Sequence, residues 1–237
     1  MGAASARSGF GGVLRRLLMR PATVAANERI AGRFHLITLE GPALRDAAWT
    51  PGHKVQIAMG ASFLTRTYTP IDWDAQAGRF RILGHAHGDG PGSAWVREAG
   101  PGAVCDVFGP RDSIAPSAES EPLAVFGDET SIGLAHALSA KRLVTHHFEL
   151  DDPLAGGAVL EHLGFAHATL FERRAADVHV DRMEAALAPL AAAGAAFVLT
   201  GKAGTVQRLR RALKPLGVAS PRIAAKAYWA PGKTGLD

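Results

Sequence analysis

The chain has 237 residues, of which 47% are hydrophobic and 20% charged, a composition typical of a globular protein with one large or two modest domains. Residues 1–20 hold four arginines and no acid, so removing these four from the 26 Lys and Arg leaves 22 against 22 Asp and Glu in the rest of the chain. A neutral body excludes a nucleic-acid-coating protein, and the single cysteine, Cys105, excludes an internal disulfide, a CxxC redox pair and a Cys-ligated metal cluster.

Residues 1–21 form a basic segment with helical periodicity. Pro21 ends the pattern, and the apolar positions that recur at helical spacing are Phe10, Val13, Leu14, Leu17 and Leu18. We predict an amphipathic helix that packs on the body of the protein; a membrane-surface contact and an organelle transit peptide are the alternatives. Arginines break the apolar stretch too often for a secretory signal, and no run approaches the ~18 residues of a membrane-spanning helix, so a cytoplasmic protein is expected.

Residues 22–115 contain short β-patterned segments separated by turns such as Pro51-Gly52 and Pro101-Gly102. The segments are ATVAANERI, RFHLITLE, HKVQIAM, RTYTPID, RFRILGHAH and AVCDVFG. This pattern predicts an antiparallel Greek-key β-barrel of about six strands.

The pattern of predicted secondary structure changes after a stretch of small and polar residues flanked by prolines, at residues 115–122, which we interpret as a linker. Over residues 122–237, apolar strands alternate with helical segments. The strands are LAVF, HHFEL, TLFE, AFVLT and RIAAKAY, and the helices lie around 131–140, 157–163, 181–193 and 204–215. This alternation predicts a parallel α/β domain. The predicted fold class is therefore mixed β and α/β, with the barrel first.

The segment RTYT at residues 66–69 is the first that suits a ligand. Strand alternation places Arg66 and Tyr68 on one face, where a guanidinium can hold a phosphate and an aromatic ring can stack on a planar ring system. An ordinary barrel strand with one exposed arginine is the alternative interpretation.

Residues 85–95 run from a strand into a glycine-rich turn that opens a helix. Glycines such as Gly90 and Gly92 let backbone amides approach a ligand closely, and the start of a helix favours an anion, so the turn suits a pyrophosphate. A simple loop between strand and helix is the alternative. His85 and His87 share one strand face, but no third ligand is identifiable and no metal site is predicted.

The motif GDET at residues 127–130 follows the first strand of the α/β half, where an open parallel sheet binds a dinucleotide. Its two carboxylates suit the helix dipole themselves and would repel a pyrophosphate, so a capping role is the alternative. Arg173 and Arg174 follow a later strand, where a 2′-phosphate would be read; a solvated loop is the alternative there.

The order of these segments resembles the siderophore-interacting proteins of the ferredoxin-reductase superfamily. The resemblance runs from about residue 22 to the C-terminus and rests on RTYT, HGDGPGSAW, PG plus FGPR, FGDETS, LTGKAGTVQRLRRAL and KAYWAPGKTGLD. It implies bound FAD, with residues 22–115 as the FAD-binding barrel domain and residues 122–237 as an NAD(P)H-binding domain that ends in an aromatic lid.

The resemblance also implies roles for single residues. Arg66 would hold the FAD phosphates, Tyr68 would stack on the flavin, and Thr69 would hydrogen-bond near its redox nitrogen. The glycine-rich turn would cradle the pyrophosphate, and the other cofactor-binding residues assigned to this strand and turn are Thr67, His85, His87, Gly90, Gly92 and Ser93. The nicotinamide side would be lined by Gly127, Asp128, Glu129, Thr130, Gly201 and Lys202. Tyr228 and Trp229 would form the lid.

Two positions depart from the family pattern. Pro70 and Ile71 stand where the family often has a second arginine, and Lys202 stands where it often has an acid, which would alter the nicotinamide preference. Ferric siderophores are commonly anionic, and four cations in or next to the motifs are hypothetical contacts for them, with a solvated surface as the alternative: Lys54, Arg111, Lys226 and Lys233.

The predicted function is that of a ferric-siderophore reductase, which passes electrons from NAD(P)H through FAD to chelated Fe(III) and releases Fe(II). No general base and no iron ligand of the protein itself is required. The alternatives are a general flavin reductase or electron-transfer flavoprotein with a ferredoxin donor, and a non-enzymatic siderophore-binding protein. The predicted partner is a ferric siderophore or another ferric chelate.

Overall fold

The computed structural model describes residues 19–59, 65–116 and 122–233. These residues form two β-sheets, one in each half of the chain. No helix among them is long and apolar enough to cross a membrane. Residues 117–121 of the predicted linker lie outside the described ranges.

The helix was predicted over residues 1–21, and residues 1–18 lie outside the described ranges. At Arg20 and Pro21 the prediction is wrong, because both belong to the first strand. They pair with Val107 and Asp106 of the last strand of the same sheet. Strand pairing within the barrel therefore begins where the helical periodicity ends.

The first sheet is antiparallel and has seven strands. They are β1 (Arg20–Ala31), β2 (Phe34–Glu40), β3 (Lys54–Ala58), β4 (Thr65–Tyr68), β5 (Pro70–Asp74), β6 (Arg79–His85) and β7 (Val104–Arg111). In space they follow the order β4-β3-β7-β1-β2-β6-β5. The sheet is barrel-like but not closed, and helix α1 (Pro91–Glu98) lies in the connection from β6 to β7.

The strand beyond the six predicted arises because the segment RTYTPID changes partner at Thr69. Before it, Tyr68 pairs with Val55 of β3; after it, Pro70 pairs with Ile82 of β6. Proline has no N–H to donate, so the ladder breaks at this position. The two ends of the spatial order, β4 and β5, are therefore consecutive in the chain, and the sheet curls back towards itself at Thr69.

The barrel core follows the strand alternation seen in the sequence. On β6, Phe80 and Ile82 are completely buried, whereas Arg79 lies on the opposite, exposed face. Phe80 stacks on Trp73 with ring centroids 4.5 Å apart. Burial of such a side chain contributes about 1.5–3 kcal/mol. Cys105 belongs to the same core, and burial raises the pKa of its thiol to about 12.

The second sheet has five strands, all parallel, as predicted. They are β8 (Leu123–Gly127), β9 (Val144–Leu150), β10 (Thr169–Glu172), β11 (Ala196–Lys202) and β12 (Ile223–Trp229), in the spatial order β10-β9-β8-β11-β12. The helices between them are α2 (Ile132–Ser139), α3 (Pro153–His162), α4 (Val180–Ala185), α5 (Leu187–Ala192) and α6 (Ala203–Leu213).

This sheet is covered on both faces. Helices α2 and α3 share one core through residues such as Leu134 and Val159, while α4 to α6 share another through residues such as Met183 and Leu209. The strand order runs outward from β8 to β10 and then reverses to β11. A reversal of this kind leaves a crevice at the carboxyl ends of the two strands beside it, here β8 and β11.

The two halves pack against each other beside this crevice. Phe34 of β2 belongs to the core formed by α2 and α3, and Leu83 of β6 packs against it. A Cβ on Gly133 of α2 would lie 3.2 Å from Ile71 of β5, so this helix approaches the barrel closely. The domain boundaries at residues 21/22 and 115/122 remain predictions.

Candidate functional site

Arg66 lies directly against the first turn of α1. A Cβ added to Gly92 would lie 3.1 Å from the Cγ and the Nε of Arg66, so a side chain at this position would displace the arginine by a few tenths of an ångström. The Nη1 of Arg66 donates to the Thr65 carbonyl at 2.9 Å, which orients the side chain. The structure thus brings together two of the predicted site residues from separate segments.

The glycine-rich turn leaves the amides of α1 without a side-chain cap. Gly90 is the N-cap residue, and the first turn of α1 contains no acidic side chain. Within the turn, the Gly88 amide donates to Ser93 Oγ at 3.3 Å, and Arg97 donates to the Gly88 carbonyl at 2.9 Å. Uncapped helix amides beside a guanidinium are the donor set that a pyrophosphate requires, so these residues fit the phosphates of FAD.

The face of β4 that carries Arg66 also carries Tyr68, as predicted. Its ring centroid lies 6.3 Å from that of Trp95 on α1, and burial raises the pKa of the phenol, which therefore stays neutral. Thr67 is exposed on the opposite face of the strand. Its assignment to the cofactor site remains a prediction.

Tyr228 and Trp229 end β12 in different environments. The Tyr228 hydroxyl is hydrogen-bonded to Thr69, at the junction of β4 and β5, and burial raises the pKa of Tyr228. The Trp229 indole N–H instead donates to Asp128 Oδ2 at 2.6 Å. The end of β12 therefore contacts the barrel through one aromatic residue and the α/β half through the other.

Asp128 fills the crevice between β8 and β11. It is completely buried, and its Oδ1 accepts from the Thr130 amide at 2.9 Å, which is the capping role considered above. A Cβ on Gly201, whose φ is +100°, would lie 2.4 Å from Asp128 Oδ2. Gly127 is similarly tight, because its Cβ would lie 2.3 Å from that of Ser131. Burial is the main cause that raises the pKa of Asp128 to about 6.

Glu129 does not cap the helix but pairs with Arg173. Its Oε2 accepts from Arg173 Nη2 at 2.8 Å, and its Oε1 accepts from the Asp151 amide at 2.7 Å. The Arg173 guanidinium also binds the Asp151 carboxylate and lies 5.7 Å from the centroid of the Trp229 ring. Burial alone would lower the pKa of Arg173, but the hydrogen bonds to these carboxylates raise it.

Sequence reasoning was wrong about Arg173, which is neither in a solvated loop nor available to a 2′-phosphate. Its side chain is 12% exposed, against 65% for the neighbouring Arg174. The signal in the sequence was weak, because the carboxylates that bind Arg173 follow two other strands. Lys202, at the end of β11, is likewise bound, by Asp177 at 2.6 Å.

His85 lies at the end of β6 between the two halves. Its ring centroid is 4.6 Å from that of Phe34, and burial lowers the pKa of His85 to about 4, so the imidazole is neutral at pH 7. It lines a cavity of about 410 Å³ that also includes Glu129 and Asp151. His87 is exposed, with its ring centroid 5.9 Å from that of His85.

Three of the four predicted substrate cations gather near the end of β7. Lys54 and Arg111 are partners in the ladder between β3 and β7, and Arg111 lies over the Phe108 ring at 4.0 Å. Lys226 of β12 donates to Ser113 Oγ at 2.9 Å. Ser113 also lines a second cavity, of about 510 Å³, which sequence reasoning missed. The fourth cation, Lys233, is exposed beyond the end of β12.

Comparisons with known proteins agree with this arrangement. Residues 56–114 match a family model described as the siderophore-interacting FAD-binding domain. No curated protein matches the chain. A siderophore utilization protein from T. fusca is 24% identical, with a TM-score of 0.72 over 92% of this chain and 95% of that one. The siderophore-interacting protein SipS from Aeromonas hydrophila is 22% identical, with a TM-score of 0.74 over 91% and 93%.

A ferredoxin reductase in carbazole 1,9a-dioxygenase has a similar fold at lower sequence identity. It is 16% identical, with a TM-score of 0.72 over 89% of this chain and 69% of that one. The fold is therefore that of the ferredoxin reductases. Residues 56–114 are similar to the siderophore-interacting FAD-binding domain, and the resemblance predicted from the motifs is confirmed.

Proposed function

We propose that the protein is an FAD-dependent ferric-siderophore reductase, which takes electrons from NAD(P)H and delivers them to chelated Fe(III). The observation that carries the proposal is the packing of Arg66 against Gly92 at the uncapped start of α1. It supports a pyrophosphate-bearing flavin on the barrel half, next to a parallel sheet with a crevice of the dinucleotide-binding kind.

When bound, FAD supplies the conversion of a two-electron hydride donor into single electrons, which a ferric ion requires. One NAD(P)H then gives NAD(P)⁺, a proton and two Fe(II). Ferric iron prefers the hard oxygen ligands of catecholate and hydroxamate chelators, and ferrous iron is held by them less tightly. Reduction therefore releases the metal without any iron ligand from the protein.

The protein's own residues bind and orient the reactants. Arg66 and the α1 amides would hold the phosphates. Tyr68 at the end of β4 and Tyr228, which is hydrogen-bonded to Thr69 at the β4–β5 junction, both offer neutral aromatic rings. The group of cations near the end of β7, with Lys233, attracts an anionic chelate to this side of the molecule.

A second candidate is an electron-transfer flavoprotein with a ferredoxin donor, acting in place of NAD(P)H. The observation that favours it is the filling of the crevice by the buried carboxylates Asp128 and Glu129, which oppose a pyrophosphate there. Both candidates place the reaction in the cytoplasm, where reduced nicotinamides and ferredoxins are found.

One visible spectrum of the purified protein tests the proposal at three points. We expect a flavin spectrum, its bleaching on anaerobic addition of NADPH or NADH, and its return on addition of a ferric siderophore together with a coloured ferrous trap. A colourless protein that does not take up added FAD contradicts the proposal. Bleaching by reduced ferredoxin but by neither nicotinamide favours the second candidate.

A further inference from the structure

An ion pair at the carboxyl edge of the parallel sheet has no role in the function proposed above. Lys202 is the last residue of β11, and its Nζ lies 2.6 and 2.8 Å from the two carboxylate oxygens of Asp177. The lysine side chain is 13% exposed and the aspartate 40%. The pair is therefore partly shielded from water but reachable from it.

Lys202 lies at the carboxyl end of β11, one of the two strands beside the crevice. β11 and β8 flank the reversal of strand order, and in open parallel sheets a dinucleotide binds in this crevice. The ladder between β11 and β12 is irregular between Gly201 and Lys202. An irregularity of this kind redirects a side chain, and here it accompanies the positive φ of Gly201.

Asp177 is held in place by a strained and well-anchored loop. Ala176 and Asp177 have φ of +54° and +56°, a region that residues with a side chain rarely adopt. The loop is fastened on both sides of this strain. His179 Nδ1 accepts from the Arg174 amide at 3.2 Å, and its Nε2 is 2.6 Å from the buried Glu149 carboxylate.

The two cations at this edge are already paired with carboxylates of the chain itself. Arg173 is bound by Glu129 and Asp151, and Lys202 is bound by Asp177. With the buried Asp128 and Glu149 included, five carboxylates of the described residues lie beside two cations. A pyrophosphate entering the crevice must therefore replace a carboxylate on one of the cations. Among the described residues, Lys202 is paired with one carboxylate, that of Asp177, whereas Arg173 is paired with both Glu129 and Asp151, so less has to be displaced at Lys202.

We propose that Asp177 is a specificity-determining residue that competes with the pyrophosphate of the electron donor for Lys202. A carboxylate and a phosphate oxygen are equivalent acceptors for an ammonium group, so binding of one displaces the other. The inference rests on the proposed function in one respect, the dinucleotide donor. It predicts that the chain binds pyridine dinucleotides weakly and that removal of the Asp177 charge strengthens the binding.

The test is calorimetric titration of the FAD-loaded protein with ADP-ribose, which carries the adenosine and the pyrophosphate but no nicotinamide. Asp177→Asn is the informative variant, because asparagine tolerates a positive φ and leaves Lys202 without its anionic partner. We expect ADP-ribose to bind about tenfold more tightly to this variant than to the wild type. NAD⁺ and NADP⁺ should gain equally, because both carry the same pyrophosphate.

The gain must depend on Lys202. In the double variant Asp177→Asn, Lys202→Gln, we expect the affinity to return to the level of Lys202→Gln alone. Asp181→Asn is the matched control, because Asp181 pairs with Arg208 of α6, and its affinity for ADP-ribose should equal that of the wild type.

Three results would overturn the inference. The first is an unchanged affinity of Asp177→Asn for ADP-ribose, whether or not the melting temperature of this variant falls. The second is a gain in affinity that persists in the double variant. The third is a gain in affinity for NADP⁺ alone. The flavin spectrum and ferrous release by the dithionite-reduced protein are recorded on the same samples. If these persist while ADP-ribose binds to no variant, the inference about Asp177 fails and the flavin–iron part of the proposed function stands. If they are absent, the proposed function itself fails.

Discussion

The barrel side and the α/β side of the candidate site differ in whether their anion-binding groups are already paired within the chain. On the barrel side, Arg66 and the uncapped amides of α1 present donors that the chain itself leaves largely to a ligand. On the α/β side, Arg173 and Lys202 are already bound by the chain's own carboxylates. Under the proposed function, the flavin would be held by preformed contacts, whereas the electron donor would have to displace existing ones.

This contrast also separates two kinds of stabilisation. The donors around α1 contribute to ligand binding and little to folding, because water satisfies them when no ligand is present. The ion pairs at the edge of the parallel sheet hold several strand ends together, so their loss affects folding first. The effect of a substitution should therefore be measured as ligand affinity on the barrel side and as the free energy of unfolding on the α/β side.

The largest effect is expected from Arg173→Ala. The substitution leaves Glu129, which is 6% exposed, without its cation, and breaking a buried pair in this way costs about 3–5 kcal/mol. Urea unfolding followed by circular dichroism measures the loss. Arg174→Ala is the control, because its exposed pair with Glu172 is worth about 0–1 kcal/mol. Equal losses in the two variants would show that the edge of the sheet is not held by Arg173.

Gly201→Ala should destabilise the fold by about 2–4 kcal/mol, because the new Cβ meets the Asp128 carboxylate and the backbone has a positive φ. Gly204→Ala on the adjoining helix α6 is the control. A Cβ there meets nothing within 4 Å, so its stability should be unchanged or slightly higher. A Gly201→Ala variant as stable as the wild type would mean that the crevice is not closely packed.

The pH dependence of stability tests the burial of Asp128. Its pKa is raised to about 6 in the folded protein from an ordinary value near 3.8, so the folded state binds the proton more tightly than the unfolded state. The resulting stabilisation is fully present below about pH 4 and is lost as the pH rises through 6, by at most about 3 kcal/mol. Urea unfolding between pH 4 and pH 7 should show this loss in the wild type relative to Asp128→Asn. Parallel curves would contradict the burial.

On the barrel side, Arg66→Ala should weaken FAD binding about 10- to 100-fold, because it removes charge-assisted hydrogen bonds to the phosphates. The unfolding free energy should hardly change. Flavin fluorescence during titration of the apoprotein gives the dissociation constant. Arg79→Ala, which breaks an exposed pair with Glu40, is the control and should bind FAD like the wild type. An FAD affinity in Arg66→Ala equal to that of the wild type would contradict a phosphate site formed by Arg66 and the start of α1.

The smallest effect is expected from the substrate cations. Reversal of Lys226 and Lys233 to glutamate should raise KM for an anionic ferric chelate about two- to fivefold at low salt, and less at high salt. The double reversal Arg210→Glu, Lys214→Glu, at the end of α6, is the control with the same change of charge. A KM that is equal in the two variants would mean that these lysines do not attract the substrate.

Much of the fold could be predicted because its signals are local. The strand and helix segments of the α/β half follow from runs such as LAVF and AFVLT separated by helical stretches, and the structure places strands and helices there. The additional strand was missed because the break at Thr69 depends on a change of pairing partner from β3 to β6. These two strands lie next to opposite ends of the sheet order.

The candidate site divides in the same way. Arg66 and Tyr68 share a face because of alternation within one strand, which the sequence shows. The motifs of Arg66 and Gly92 were each recognised, but the contact between these two residues was not predicted. The partners of Arg173 and Lys202 were not anticipated. They come from loops 22 to 44 residues away in the chain, and nothing in their local sequence distinguishes them from solvated charges.

Apart from the division of residues 65–74 into two strands, the sequence by itself therefore determined the order of strands and helices, the position of the glycine-rich turn and the kind of ligand that turn suits, because each depends on neighbours within a few residues. Only the tertiary structure decided which charges remain available to a ligand and which the chain neutralises itself. That outcome depends on which loops the strand order brings to the same edge of the sheet, and the strand order is a property of the whole fold.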